Sequence, residues 1–98
     1  MDNFAWLQNW YAGHCDGDWE HQKGIEIGTI DNPGWRVHIN LAETELEGRP
    51  FSEIKHDRSE HDWIRCWIKD GFFESAGGKL NLMELIGVFR TWAETPSP

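Results

Sequence analysis

The densest run of chemically able side chains is His14-Cys15-Asp16-Gly17-Asp18-Trp19-Glu20-His21, with two imidazoles, a thiol and three carboxylates. Groups of these types bind metal ions or build thiol nucleophiles. A calcium loop of the EF-hand kind needs glycine at its sixth position and a bidentate glutamate at its twelfth. Counted from Asp16, those places hold His21 and Ile27. A structural zinc site takes four ligands, usually in two close pairs, and adjacent residues such as His14 and Cys15 cannot easily converge on one ion. A Cys-His pair is the seed of thiol catalysis, but it is defined by geometry in space, and sequence neighbours seldom face each other. Cys66, between Ile64 and Ile68, reads as a small core residue. No GxSxG, HExxH, P-loop or GxGxxG pattern occurs. The expectation is no catalytic residue, no metal and no cofactor. In the competing structural reading, Asp16 and Asp18 accept bonds from turn amides. Trp19 folds back onto a sheet, and Glu20 or His21 closes the turn.

The elements that would hold these residues follow from periodicity. Asp2 or Asn3 can cap a first helix, in which Phe4, Trp6, Leu7, Trp10 and Tyr11 recur at helical spacing. Gly13 is expected to end it. Residues 24–30 place Ile25 and Ile27 on one face of a strand, and Asp31-Asn32-Pro33-Gly34 is a turn signal, with glycine free to take positive φ. Trp35, Val37, Ile39 and Leu41 alternate with Arg36, His38 and Asn40, the clearest half-buried strand. Trp35 is expected at the heart of the core. Residues 51–55 suggest a short edge strand and 56–60 a solvated loop. In residues 62–70, Ile64, Cys66 and Ile68 face opposite to Trp63, Arg65, Trp67 and Lys69. Residues 71–78 read as a glycine-bearing connection. Asn81, with Glu84 three positions on, suggests a capping box for a last helix whose stripe is Leu82, Leu85, Ile86, Phe89 and Trp92. The result is an α+β fold: one domain over 1–98, with an antiparallel sheet of three to four strands, flanked by an N-terminal and a C-terminal helix. Both helices are expected on one sheet face, and the tail 94–98 is expected to fray.

On that fold two surfaces invite a partner. Glu43, Glu45 and Glu47 alternate outward beyond the hairpin, with Asp57 and Glu60 in the following loop. The alternative is the sheet face opposite the helices, where Arg36, His38, Trp63, Arg65 and Trp67 interleave tryptophan with cations, as platforms for sugars, bases or proteins do. A loop or a second copy could equally cover these tryptophans.

Composition narrows the partner. Nine Lys and Arg against seventeen Asp and Glu give a formal charge of −8. That argues against unspecific binding to nucleic acid or an anionic membrane and favours encounter with a basic protein. The seven tryptophans and five phenylalanines can supply the volume that so short a chain needs for a core. Met1-Asp2-Asn3-Phe4 shows no basic region leading into an apolar run, and no stretch approaches the roughly 18 apolar residues of a membrane span. The expectation is a cytoplasmic protein with both thiols reduced.

Trp10-Tyr11, the string Cys15-Asp16-Gly17-Asp18-Trp19-Glu20-His21, Gly24-Ile25 and Asp31-Asn32-Pro33-Gly34-Trp35 together resemble the immunity protein 53 family of bacterial polymorphic toxin systems. The resemblance continues through Asp62-Trp63 and Asn81-Leu82 to Phe89 and Trp92. It implies a cytoplasmic antidote that binds a cognate toxin domain and blocks its active site or its access to substrate. The toxin would be a basic enzyme such as a nuclease. It implies no catalytic residues, and it makes Cys15, Asp16, Asp18, Trp19, Glu20, His21 and Asp31 to Trp35 fold-defining residues. Two other classes stay open: a ligand-binding module built on Trp63 and Trp67, and a metal- or thiol-dependent enzyme at His14 to His21. The sequence leaves the oligomeric state open.

Overall fold

The computed structural model describes residues 1–96. Helix α1 spans Asn3–His14, and Asp2 caps it by accepting a 2.7 Å bond from the Ala5 amide on its Oδ1. A short 3-10 turn, Trp19–Gln22, leads to strand β1 (Ile25–Ile30), followed by β2 (Gly34–Asn40), β3 (Ile54–Asp57), β4 (Trp63–Lys69) and β5 (Phe72–Gly77); helix α2 covers Leu82–Glu94. The strands form one antiparallel sheet in the order β1-β2-β5-β4-β3. The fold is α+β, but the sheet has five strands, not three to four.

The additional strand is β5, at the centre of the sheet, in the segment expected to be a connection. Its Gly, Ser and Ala content lowers strand propensity, yet here small residues are needed for packing. A Cβ on Gly77 would lie 3.3 Å from Leu85 Cδ1 of α2 and 3.1 Å from the Trp63 carbonyl oxygen. Asp70 and Gly71, with φ of 53° and 83°, turn β4 into β5, and Asp-Gly at two left-handed positions is a strong short hairpin signal. β3 lies later than expected, so His56 and Asp57 belong to the strand and not to a loop. Gly34 is not a turn residue either. It opens β2 opposite Ile30, and a Cβ there would stand 2.2 Å from the Gly77 carbonyl oxygen.

One sheet face carries the core. Val37 pairs with Ser75, Ile39 with Phe73, Ile64 with Gly77 and Cys66 with Ser75, and all of these residues are buried. Above them Phe89 of α2 meets Phe73 at 5.1 Å and Trp10 of α1 at 5.0 Å between ring centroids. The crossover from β2 to β3 passes on the same side, contributing buried Leu41 and Leu46, and Phe51 against Trp92. Trp35 is only half-buried. It closes the core at one end of the sheet, its indole donating to the Lys79 carbonyl, while Phe73 and Phe89 occupy the centre.

Asp2 caps α1 as expected, but the apolar face of α1 and both ends of α2 depart from expectation. In α1 the apolar positions spread too widely for one face, so Leu7 and Trp10 are buried while Phe4 and Tyr11 are exposed. In α2 no capping box forms. Asn81 Nδ2 donates to Asp62 and Glu84 side chains, tying the helix start to the β3–β4 loop. Glu94 is not frayed: it ends the helix in an ion pair with Arg90 at 2.7 Å, and the Thr95 amide bonds back to Thr91. Ser97 and Pro98 lie outside the described residues.

Candidate partner-binding surfaces

The Cys15 to His21 segment is a scaffold built from its own carboxylates. Asp16 Oδ1 accepts from the amides of Asp18 (2.9 Å) and Trp19 (3.0 Å), and Glu20 accepts from those of Asp16 and Gly17. The Trp19 and Asp18 amides hold the Asp16 carboxyl below its ordinary value. Glu20 is lowered chiefly by its own amide, with Asp16 and Gly17 adding to it against desolvation. The loop so fixed delivers Trp19 into the core at 2 % exposure, its indole donating to the Asn40 carbonyl. Gly24 passes beneath: a Cβ there would meet the Trp19 ring at 3.0 Å.

The polar groups of this segment do not converge. Cys15 Sγ turns back to the Tyr11 carbonyl. His14 uses both ring nitrogens elsewhere, Nδ1 on the Trp10 carbonyl and Nε2 on Glu45, each at 2.7 Å. His21 is exposed, 4.0 Å from Glu20. Among the described residues no three His, Cys, Asp or Glu side chains could hold one metal ion. Cys66 is fully buried, and burial pushes its thiol up to about 12.

Glu43, Glu45 and Glu47 do not alternate along a strand; residues 42–48 run through consecutive turns, because Leu46 must enter the core. Glu45 is occupied, accepting from the Trp10 indole at 3.0 Å and meeting His14 at 2.7 Å. Its partial desolvation is outweighed by hydrogen bonds from His14, its own amide and Trp10, which hold its carboxyl below the usual glutamate value. Glu43 and Glu47 are exposed. Three separate loops meet at this end of the sheet. The Asn40 amide donates to Gly24, the Leu41 amide to Gly71, and Asn40 Nδ2 to Gln22. The exposed acids Asp16, Asp18, Glu43, Glu47 and Asp70 lie in the segments that flank this junction, as do the exposed cations Lys23 and Lys69. Asp57 and Glu60 lie elsewhere, Asp57 in edge strand β3 and Glu60 exposed in the loop after it.

The second sheet face has neither helix on it. Register puts Arg36, His38, Glu74, Ala76, Trp63, Arg65 and Trp67 on this side, together with Lys55, Asp57 and Lys69. His38 bonds Glu74 at 2.7 Å and stacks on Phe72 at 4.3 Å between ring centroids. Arg65 sits 6.0 Å from the Trp63 ring centre. A groove of about 500 Å³ opens between Trp63, Trp67, Arg65, Asp57, Asn32 and Ala76. Asp31, Asn32 and Pro33 form the exposed β1–β2 loop at its rim. The sequence pattern identified the outer residues of β2 and β4 but missed Glu74 and Ala76 between them, because β5 itself was missed; Asp70-Gly71 was the signal that could have found it.

The fold defines a two-layer α+β protein with one sheet face free of helices. The family model described as immunity protein 53 matches residues 4–94 of the 98-residue chain, and the chain belongs to that family. No curated protein and no solved structure matches it. No helix among the described residues is long and apolar enough to cross a membrane.

Proposed function

We propose that this protein binds a cognate toxin domain and neutralises it by occlusion, without chemistry of its own. The observation that carries this reading is membership of an immunity-protein family across residues 4–94. The toxin is proposed to be basic, a nuclease being the natural example, and to meet the protein in the cytoplasm. The formal charge of −8 supports that choice. Glu43 holds a left-handed backbone at φ 64°, where glycine or asparagine would be easier, so an acid at that position is not explained by conformation. The motif residues from Cys15 to Trp35 maintain the fold, which leaves the exposed acids and the bare sheet face to read the partner. The test is co-expression with a candidate toxin, the product of the neighbouring gene, followed by titration calorimetry of the purified pair. Restored growth and saturable binding are expected. A chain that neither protects nor binds would overturn the proposal.

A further inference from the structure

Strand β1 is an edge that nothing protects. It runs for six residues, Ile25–Ile30, with neither proline nor lysine, and no described residue bonds to its outer side. The opposite edge, β3, is four residues long and carries exposed Lys55, His56 and Asp57, the short charged form by which sheets discourage further pairing. In an antiparallel ladder alternate residues turn both backbone groups to the same neighbour. The Asn40 amide donates to the Gly24 carbonyl at 2.9 Å, so Glu26, Gly28 and Ile30 bond inward to β2, and Ile25, Ile27 and Thr29 turn theirs outward. Helix α1 packs mainly on α2 and leaves Ile27 exposed, although its side chain lies on the core face with Val37. Exposed Phe4 and Tyr11 of α1 border an open groove of about 640 Å³ that reaches Ile25.

We infer that a second copy of this chain pairs with β1 across a two-fold axis at Ile27, joining the two sheets into one. A two-fold contact is the same on both copies, which limits the registers. Centred on Glu26, the pairing sets Glu26 against Glu26, and like charges directly opposite repel. Centred on Gly28, it carries Ile25 past the end of the facing strand to Asp31. Centred on Ile27, it bonds Ile25 to Thr29 and Ile27 to Ile27 along the whole outer edge. In that register Gly28 faces Glu26 of the second copy. Arg36, opposite Gly28 on β2, already extends over the glycine: a Cβ on Gly28 would stand 3.9 Å from Arg36 Cγ. The guanidinium ends 3.7 Å from Glu26 of its own chain, too long for a hydrogen bond, so its donors remain available. The missing side chain at Gly28 opens a path from Arg36 to Glu26 of the second copy, whose Cα would lie roughly 10 Å away, two strand spacings. Continued past the strand ends, the same register sets Asp31 of the second copy against Lys23, both exposed. Charges thus complement at the centre and at the ends of the pairing. The −8 on each copy opposes association at long range and keeps it reversible.

The experiment is sedimentation equilibrium of the whole protein over a concentration series, in which a reversible monomer–dimer equilibrium is expected. Thr29→Pro removes an outward N–H and no bond to β2, a change that an edge strand tolerates. It should weaken the dimer at least about tenfold with an unchanged circular dichroism spectrum. Glu26→Arg should also weaken it, and Glu26→Arg/Arg36→Glu, which exchanges the two charges, should restore most of the loss. A parent that stays monomeric up to about 1 mM overturns the inference. So does a dimer that a folded Thr29→Pro leaves intact, or a double variant no tighter than Glu26→Arg alone. Should Thr29→Pro fail to fold, cysteine pairs in a Cys15→Ser background decide the register. Ile27→Cys should crosslink to its symmetry mate on mild oxidation, and Thr29→Cys, about 13 Å from its own, should not; equal crosslinking overturns the axis at Ile27. The inference is independent of the toxin-binding reading. A monomeric parent whose toxin affinity is lost in Thr29→Pro would give this edge to the toxin and refute the second copy.

Discussion

A carboxylate that ties down backbone amides works only while it is ionised. Asp16, Glu20 and Glu45 all have folded values held below their ordinary ones. Each therefore contributes stability that is complete above its unfolded value and is lost as pH falls through the folded value. The melting temperature should decline once pH drops past about 4.5, the ordinary value for glutamate, and the decline should be shallower in Glu45→Gln. Thermal melts between pH 3 and 7 would show it; parallel slopes for parent and variant would exclude Glu45 as a contributor. The same loop exists to seat Trp19. Trp19→Ala should destabilise by roughly 3–5 kcal/mol, as large aromatic truncations in cores do, and chemical denaturation would measure it. A loss below 1 kcal/mol would mean that the loop, and not the ring, does the holding.

Among the elements, β5 shows how far packing can override composition. Its neighbours approach through glycines, and a tight position differs from an open one in a way mutation can resolve. Gly34→Ala would drive a methyl against the Gly77 carbonyl oxygen at 2.2 Å, so a loss of at least ~1–3 kcal/mol is expected, as for an overpacked core. Gly28→Ala on the bare face meets nothing nearer than the Arg36 side chain at 3.9 Å and should be neutral or gain up to ~1 kcal/mol. Denaturant midpoints of the two variants would rank them, and a reversed order would contradict the register of β2 against β5. Periodicity alone located α1, β1, β2, β4 and α2, because each carries its own apolar repeat. It assigned Arg36, His38, Arg65 and Trp67 to one side for the same reason. It could not find β5, where buried positions hold Ser75 and Gly77 and the period-two signal disappears. The 41–53 crossover was hidden similarly: Glu43, Glu45 and Glu47 look like strand alternation, but buried Leu46 and the bonds to Glu45 make them turns. The motif loop was legible in its chemistry, since short acids before a tryptophan are turn formers, whereas the pairing of Glu45 with Trp10 and His14 spans loops that no local pattern links.

At the scale of the whole molecule, charge is divided by place. The bare face carries Arg36, Lys55, Arg65 and Lys69 against Glu26, Asp57 and Glu74, a small positive excess on a chain of formal charge −8. The net negative charge lies on the rest of the surface. In 0.15 M salt interactions are screened over about 8 Å, so exposed acids such as Glu43 and Glu47 act on an approaching partner before it touches them. Steering of this kind raises association above the neutral range of about 10⁵–10⁶ M⁻¹s⁻¹, and changing a rim charge alters the on-rate more than the off-rate. For the toxin domain, association should slow as salt rises, and Glu43→Gln/Glu47→Gln should slow it several-fold at low salt with dissociation nearly unchanged. Glu45 is left out of the steering set, because its carboxylate already serves Trp10 and His14 and its loss would mix stability with rate. Stopped-flow association over a salt series, with dissociation followed by competition, separates the two effects. A salt-independent rate, or a double variant that associates like the parent, would remove Glu43 and Glu47 from the binding pathway and leave recognition to the sheet face alone.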